Sequence, residues 1–227
     1  MGDWTEFLLA SGLFLVSHPL PQATGLRRAA VARIGRPAWL ILYSAVSLLL
    51  FGWMIAAAGR APFVPLWEPQ VWHRVAVNLV MPLAFLLGTF GVAAPNPFAF
   101  EGRRDGFDPD RPGIAGITRQ PLLWAMVLWA GAHLLMNGDL AHALLFAPML
   151  IFALAGIALA ERAARRRLGA DWPHLAARTG LLPLAALIRG KWQPRRLPSL
   201  WRFALALALW AVVWHLHPAV IGVWPGV

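Results

Sequence analysis

The chain has no cysteine among its 227 residues. Disulfides, iron–sulfur clusters and thiolate zinc sites are therefore excluded. Charge is also scarce. Only 13% of residues are Asp, Glu, Lys or Arg, against 59% hydrophobic, whereas a soluble domain carries roughly a quarter charged residues. Such a chain cannot cover itself with polar surface, so a soluble globular protein is excluded and an integral membrane protein remains. Lysine is nearly absent: Lys191 stands alone beside an arginine-dominated basic set. No base precedes the first apolar run, and Met1–Glu6 carries acids instead, so no secretory signal peptide is expected.

What is present is a set of six apolar runs. They are roughly Trp4–Leu20, Ala38–Ala58, Val71–Ala94, Pro121–Met136, Leu140–Ala160 and Leu200–Val223. A hydrocarbon core about 30 Å thick takes about 20 such residues per helix. The expectation is an all-α, polytopic membrane helix bundle with six transmembrane helices, forming one domain over 1–227.

The net charge of +10 suggests nucleic acid until the bases are placed. Arg27, Arg28, Arg33 and Arg36 separate the first two runs. Arg103, Arg104, Arg111 and Arg119 separate the third and fourth. Nine bases, from Arg162 to Arg196, fill the fifth junction. The intervening junctions are poor in bases. This alternation puts both termini outside, in the periplasm of a bacterial inner membrane, with the Arg-rich junctions in the cytoplasm against lipid head groups. No nucleic-acid partner is expected. The tight fourth junction, Asn137-Gly138-Asp139, suggests a left-handed Gly138 and an Asp139 helix cap. Pro95–Gln120 reads as an ordered loop. Ala163–Arg178, with Leu168, Trp172 and Leu175 on one face, reads as a helix lying on the cytoplasmic surface.

The candidate chemistry is histidine. His73, His142, His215 and His217 sit near outer boundaries, and His174 is cytoplasmic. His18 and His133 are flanked by long apolar stretches, where an ionisable ring needs a partner. Asn137, one turn after His133, is placed to hydrogen-bond the ring or a bound ligand. Pro19 and Pro21 bend the chain after His18. Apart from Glu6 at the outer edge of the first, no acid falls inside a run, which argues against a carboxylate relay or a di-metal site.

The segment Gly116-Ile117-Thr118-Arg119-Gln120-Pro121-Leu122-Leu123-Trp124, followed by Ala132-His133-Leu134-Leu135-Met136-Asn137-Gly138-Asp139, resembles the core of the NnrU family. His18 and Gly25-Leu26-Arg27 resemble its start. Gln120 departs from the family, which usually has His there. The family is in turn similar to zeta-carotene isomerase, a membrane enzyme with heme b held by two histidines. The resemblance implies heme b ligated by His18 and His133, with Arg119 and Asn137 also in the cofactor site. The implied activity is redox-gated chemistry on an apolar polyene-like substrate, or a role in nitrogen-oxide metabolism with nitric oxide at the iron. Whether the chain is an enzyme or a heme sensor or assembly factor stays open. Counted along straight helices, His18 lies about 21 Å from the outer boundary and His133 about 6 Å. If tilt or the bend at Pro19 does not close that gap, His142 or His215 replaces His18.

A rival resemblance is to membrane methyltransferases that use S-adenosylmethionine. It rests on the Arg119-x-Pro121 segment and on Glu161-Arg162 through Leu181-Leu182-Pro183. Gln120, Leu123 and Ala160 replace the residues that hold the methyl donor there. A shared scaffold does not carry function across.

Overall fold

The computed structural model describes residues 4–99, 102–194 and 197–226. Arg195 and Arg196 of the fifth junction lie outside them. The described residues form helices joined by turns and loops. In chain order the helices are α1 (Trp4–Ser17), α2 (Leu20–Ala23), α3 (Leu26–Arg60), α4 (Val71–Gly91), α5 (Ile114–Ile117), α6 (Pro121–Met136), α7 (Leu140–Leu168), α8 (Trp172–Ala176), α9 (Ala185–Ile188) and α10 (Leu200–Ile221). A 3₁₀ turn at Gly169–Asp171 links α7 to α8.

Four helices are long and apolar enough to cross a membrane, namely α3, α4, α10 and the one beginning at Leu140. α1 and α6 are apolar but shorter. The outer surfaces of the long helices are as apolar as their sequences. Ile41, Leu49, Leu79 and Phe152 are 73%, 74%, 68% and 63% exposed. Water does not tolerate so large a continuous apolar surface; lipid does. The protein is an all-α integral membrane protein.

The chain divides into two compact units: residues 1–68 with 137–145, and residues 69–136 with 146–227. In the first, α1 and α2 pack on α3. The ends of α1 and α3 are joined where Glu6 accepts from Arg60 Nη2 at 2.6 Å, from Arg60 Nε at 3.1 Å and from Trp53 Nε1 at 3.0 Å. α3 starts twelve residues earlier than the apolar run that announced it. It is two helical segments meeting at Gly35, whose φ of 79° only glycine adopts without strain. Pro37 follows in the first turn of the second segment, where its missing N–H costs nothing.

The fourth junction also belongs to this unit. Asp139 caps α7: its carboxylate accepts from the His142 backbone N–H at 3.2 Å and pairs with His142 Nδ1 at 2.7 Å. Gly138 is not left-handed. Its carbonyl instead accepts from the backbone of Leu66 and Trp67 at 2.7 and 3.1 Å, and Leu140 N–H donates to Val64 at 2.9 Å. The junction is held by the 62–67 loop rather than by a glycine cap.

In the second unit α4 packs on both α6 and α10. Gly91 permits the close approach of α6, since a Cβ there would meet Pro121 at 2.9 Å. Asn78 of α4 donates to the Arg74 and Pro225 carbonyls at 2.9 and 2.8 Å and accepts from Trp214 Nε1 at 2.9 Å. It ties α4, α10 and the C-terminal segment together. The described residues of the 95–120 loop, 95–99 and 102–120, are held by turns with one helical turn, α5, among them. Asp108 is held below the usual carboxylate range, chiefly by the Arg111 guanidinium bonded to it at 2.7 Å. The face of Leu168, Trp172 and Leu175 turns inward. Leu168 and Leu175 cluster with Phe98, Ala115 and Ala164, with Trp172 and Phe107 against them. This face covers the loop, so the apolar stripe is an interior contact of the unit.

Candidate functional site

The Thr118-Arg119-Gln120 segment forms the most heavily bonded polar site in the second unit. Thr118 is extended where α5 ends, and Pro121 at the head of α6 disfavours helical geometry at Gln120 before it. The backbone is clamped from several sides. Arg119 N–H donates to Gly180 O at 2.7 Å and Leu184 N–H to Ile117 O at 2.9 Å. The Thr118 hydroxyl donates to Leu181 O at 2.8 Å, and Asn96 Nδ2 to Arg119 O at 3.0 Å.

Arg119 is buried, at 8% exposed, and its guanidinium is fully engaged. Nε and Nη2 grip Glu161 at 3.0 and 2.6 Å in a two-pronged pair, and Nη1 donates to the Thr179 hydroxyl at 3.0 Å. Phe98 and Trp172 lie under the cation, at 5.7 and 5.3 Å from their ring centres. Buried charges need this degree of satisfaction. Glu161 also receives Arg165 Nη2 at 3.3 Å, and Arg165 stacks over Trp172 at 4.7 Å.

Gln120 is 2% exposed and donates Nε2–H to Phe98 O at 2.8 Å. An imidazole N–H can make the same bond. Gln in place of the expected His therefore keeps a structural donor. Next to this site is a cavity of about 480 Å³, lined by Arg119, Glu161, Arg165, Trp172, Thr179 and the 180–191 segment.

The histidines are placed elsewhere. His18 follows α1, at the turn made by Pro19, and is exposed; its Nδ1 is 2.7 Å from Phe14 O, with Tyr43 at 6.0 Å. His133 is in the last turn of α6, with Nδ1 2.8 Å from Trp129 O. The Trp129 and Phe146 rings each lie 5.1 Å from its ring. His18 belongs to the first unit and His133 to the second. Arg119 precedes α6 and His133 lies roughly 18 Å along its axis from Pro121, so the structure does not gather these two into one site. α6 ends at Met136, and Asn137 follows directly after its last turn.

His215 Nδ1 bonds to Ala211 O at 2.8 Å and His217 Nδ1 to Val223 O at 2.7 Å. His73 is buried and caps α4 by accepting from Gln70 N–H at 3.0 Å. Among the described residues no group of three or more His, Asp or Glu is placed to hold a metal ion.

Sequence reasoning missed the Arg119–Glu161 pair, because the fifth run was ended at Ala160. The available signal was one acid at the border of an apolar run, opposite an Arg-x-Pro entry into another. It also missed Asn78, a lone amide deep in an apolar run.

Comparison with curated proteins and with solved structures finds no match. The model of the family described as NnrU protein matches residues 6–225, nearly the whole chain, and the protein belongs to the NnrU family.

Proposed function

We propose that this membrane protein of the NnrU family binds heme b through His18 and His133 and acts on an apolar polyene-like substrate or on nitric oxide. The observation that carries the reading is the locking of both rings. Each Nδ1 faces a backbone carbonyl one turn earlier, Phe14 O at 2.7 Å and Trp129 O at 2.8 Å. A carbonyl accepts only, so Nδ1 is the donor in both bonds. That is the outer bond that a histidine ligating a metal through Nε2 uses.

Heme takes one or two axial ligands, which the two imidazoles can supply. Bound heme would supply a redox-active iron whose electronic state can ease rotation about a double bond or meet nitric oxide. The chain's own part is to present two imidazoles, to fix their orientation by the carbonyl bonds, and to pack Trp129 and Phe146 against His133. The same lock on His215 makes it the natural control.

The test replaces His18, His133, His142 and His215 singly by Ala in the full-length protein and measures heme per chain. Loss in His18→Ala and His133→Ala, with retention in the other two, is expected. Full occupancy and an unchanged spectrum in both of the first two would overturn the assignment. Loss confined to His133→Ala and His142→Ala would move the ligand pair to the outer ends of the helices. Turnover of polyenes by the purified protein separates an enzyme from a sensor.

A further inference from the structure

The cavity beside Arg119 has a charge composition that neither the buried pair nor the heme reading uses. Its floor is neutral, because Arg119 and Glu161 neutralise each other at 2.6 and 3.0 Å. Three further cations line it: Arg165, Arg189 and Lys191. Arg165 is held between Glu161 and the face of Trp172. Among the described residues the side chains of Arg189 and Lys191 have no hydrogen-bond or ion-pair partner, and only their backbone N–H groups are bonded. Among the described residues Glu161 is the only acid in the lining, so they give the cavity a surplus of three positive charges over its neutral floor. The opposite wall is apolar, from Leu181, Leu182 and Ala185. Leu182 and Ile188 are 55% and 80% exposed in the same segment, so apolar surface continues outward from the rim.

We infer that this cavity binds a phosphate ester. Three converging cations in a concave site match a dianionic oxyanion, with a stacked guanidinium fixed in place and a lysine as a mobile point charge. A volume of about 480 Å³ falls in the range of sites for small organic ligands. It exceeds what a bare anion fills, and the apolar wall gives the organic part of the ester a surface. The ester is supplied either by a lipid head group entering along the exposed leucines or by a soluble metabolite. The phosphate chemistry is common to both.

The experiment uses the full-length protein in nanodiscs of phosphatidylcholine. Glycerol 3-phosphate is titrated by calorimetry. In parallel, the protein in detergent is offered vesicles of phosphatidylcholine with or without phosphatidic acid. Saturable binding of glycerol 3-phosphate assigns a soluble ester; binding confined to vesicles with phosphatidic acid assigns the lipid. Arg189→Gln/Lys191→Gln removes two partnerless exposed cations and so leaves the fold intact. It is expected to weaken either binding about a hundredfold, at roughly tenfold per lost charged contact. Arg162→Gln, exposed and outside the cavity, is expected to change nothing. Three outcomes overturn the inference: no binding in either arm, equal loss in Arg162→Gln, or binding of succinate as tight as glycerol 3-phosphate.

Discussion

Replacing Glu161 by Gln isolates the interaction that anchors the second unit. The carboxylate and the Arg119 guanidinium retain only 9% and 10% of their exposure, and they meet at 2.6 Å. Removing the negative charge leaves Arg119 buried with Thr179 and two ring faces as its remaining partners. Breaking a buried pair from one side costs about 3–5 kcal/mol, because the surviving charge stays desolvated. Glutamine keeps one acceptor oxygen and makes the loss fall at the lower end, about 3 kcal/mol.

Surface pairs provide the contrast. Arg104–Asp171 is 55% and 59% exposed, and Arg178–Asp110 is 41% and 72% exposed. Asp171→Asn and Asp110→Asn are therefore expected to cost less than about 1 kcal/mol each. The assay is chemical unfolding in detergent, followed through Trp fluorescence. Arg119→Met/Glu161→Met is the companion variant. It removes both charges together and is expected to be less damaging than Glu161→Gln alone. A Glu161→Gln cost below about 1 kcal/mol, level with the surface variants, would refute the placement of a buried, mutually dependent pair.

Three other expectations can be checked directly. A reporter active only in the cytoplasm is expected to give signal when fused after Ala170 and none after Val227, as the arginine distribution requires; signal after Val227 would reverse the depth assigned to every histidine. Gln120→His is expected to be tolerated, since an imidazole N–H can replace the amide donor to Phe98 O, whereas Gln120→Leu leaves that carbonyl without its partner and costs about 1–3 kcal/mol by the same unfolding assay. S-adenosylmethionine, which carries net positive charge, is expected not to bind a cavity with surplus cations at Arg165, Arg189 and Lys191; micromolar affinity by calorimetry would restore the methyltransferase reading.

The helices were legible because hydrocarbon demands long apolar runs, and the runs are long. Their ends were not, because helices continue into segments that hydropathy scores as polar. α3 begins at Leu26 among Arg27, Arg28 and Arg33, and α7 continues past Ala160 through Arg162–Arg167 to Leu168. The Asp139 cap was readable, being a local interaction between a side chain and the backbone three residues on. The role of Gly138 was not, since its geometry is set by Leu66 and Trp67, distant in sequence.

The amphipathic stripe of Leu168, Trp172 and Leu175 was visible, but periodicity names a buried face without naming what buries it. Phe98 and Ala115 cover it rather than lipid. At the site, Arg119 was noticed through its motif and Glu161 through a rival one. Their pairing across 42 residues of sequence depends on how α7 and the entry to α6 meet.

The heme proposal rests most directly on one spectrum. The full-length protein, expressed with heme supply and purified in mild detergent, is oxidised and then reduced by dithionite while its visible absorption is recorded. A sharpened pair of visible bands on reduction, with near one heme b per chain by pyridine hemochrome, is the expected result for two imidazole ligands. A preparation that stays colourless after reconstitution with hemin, with no absorption change on reduction, would contradict it.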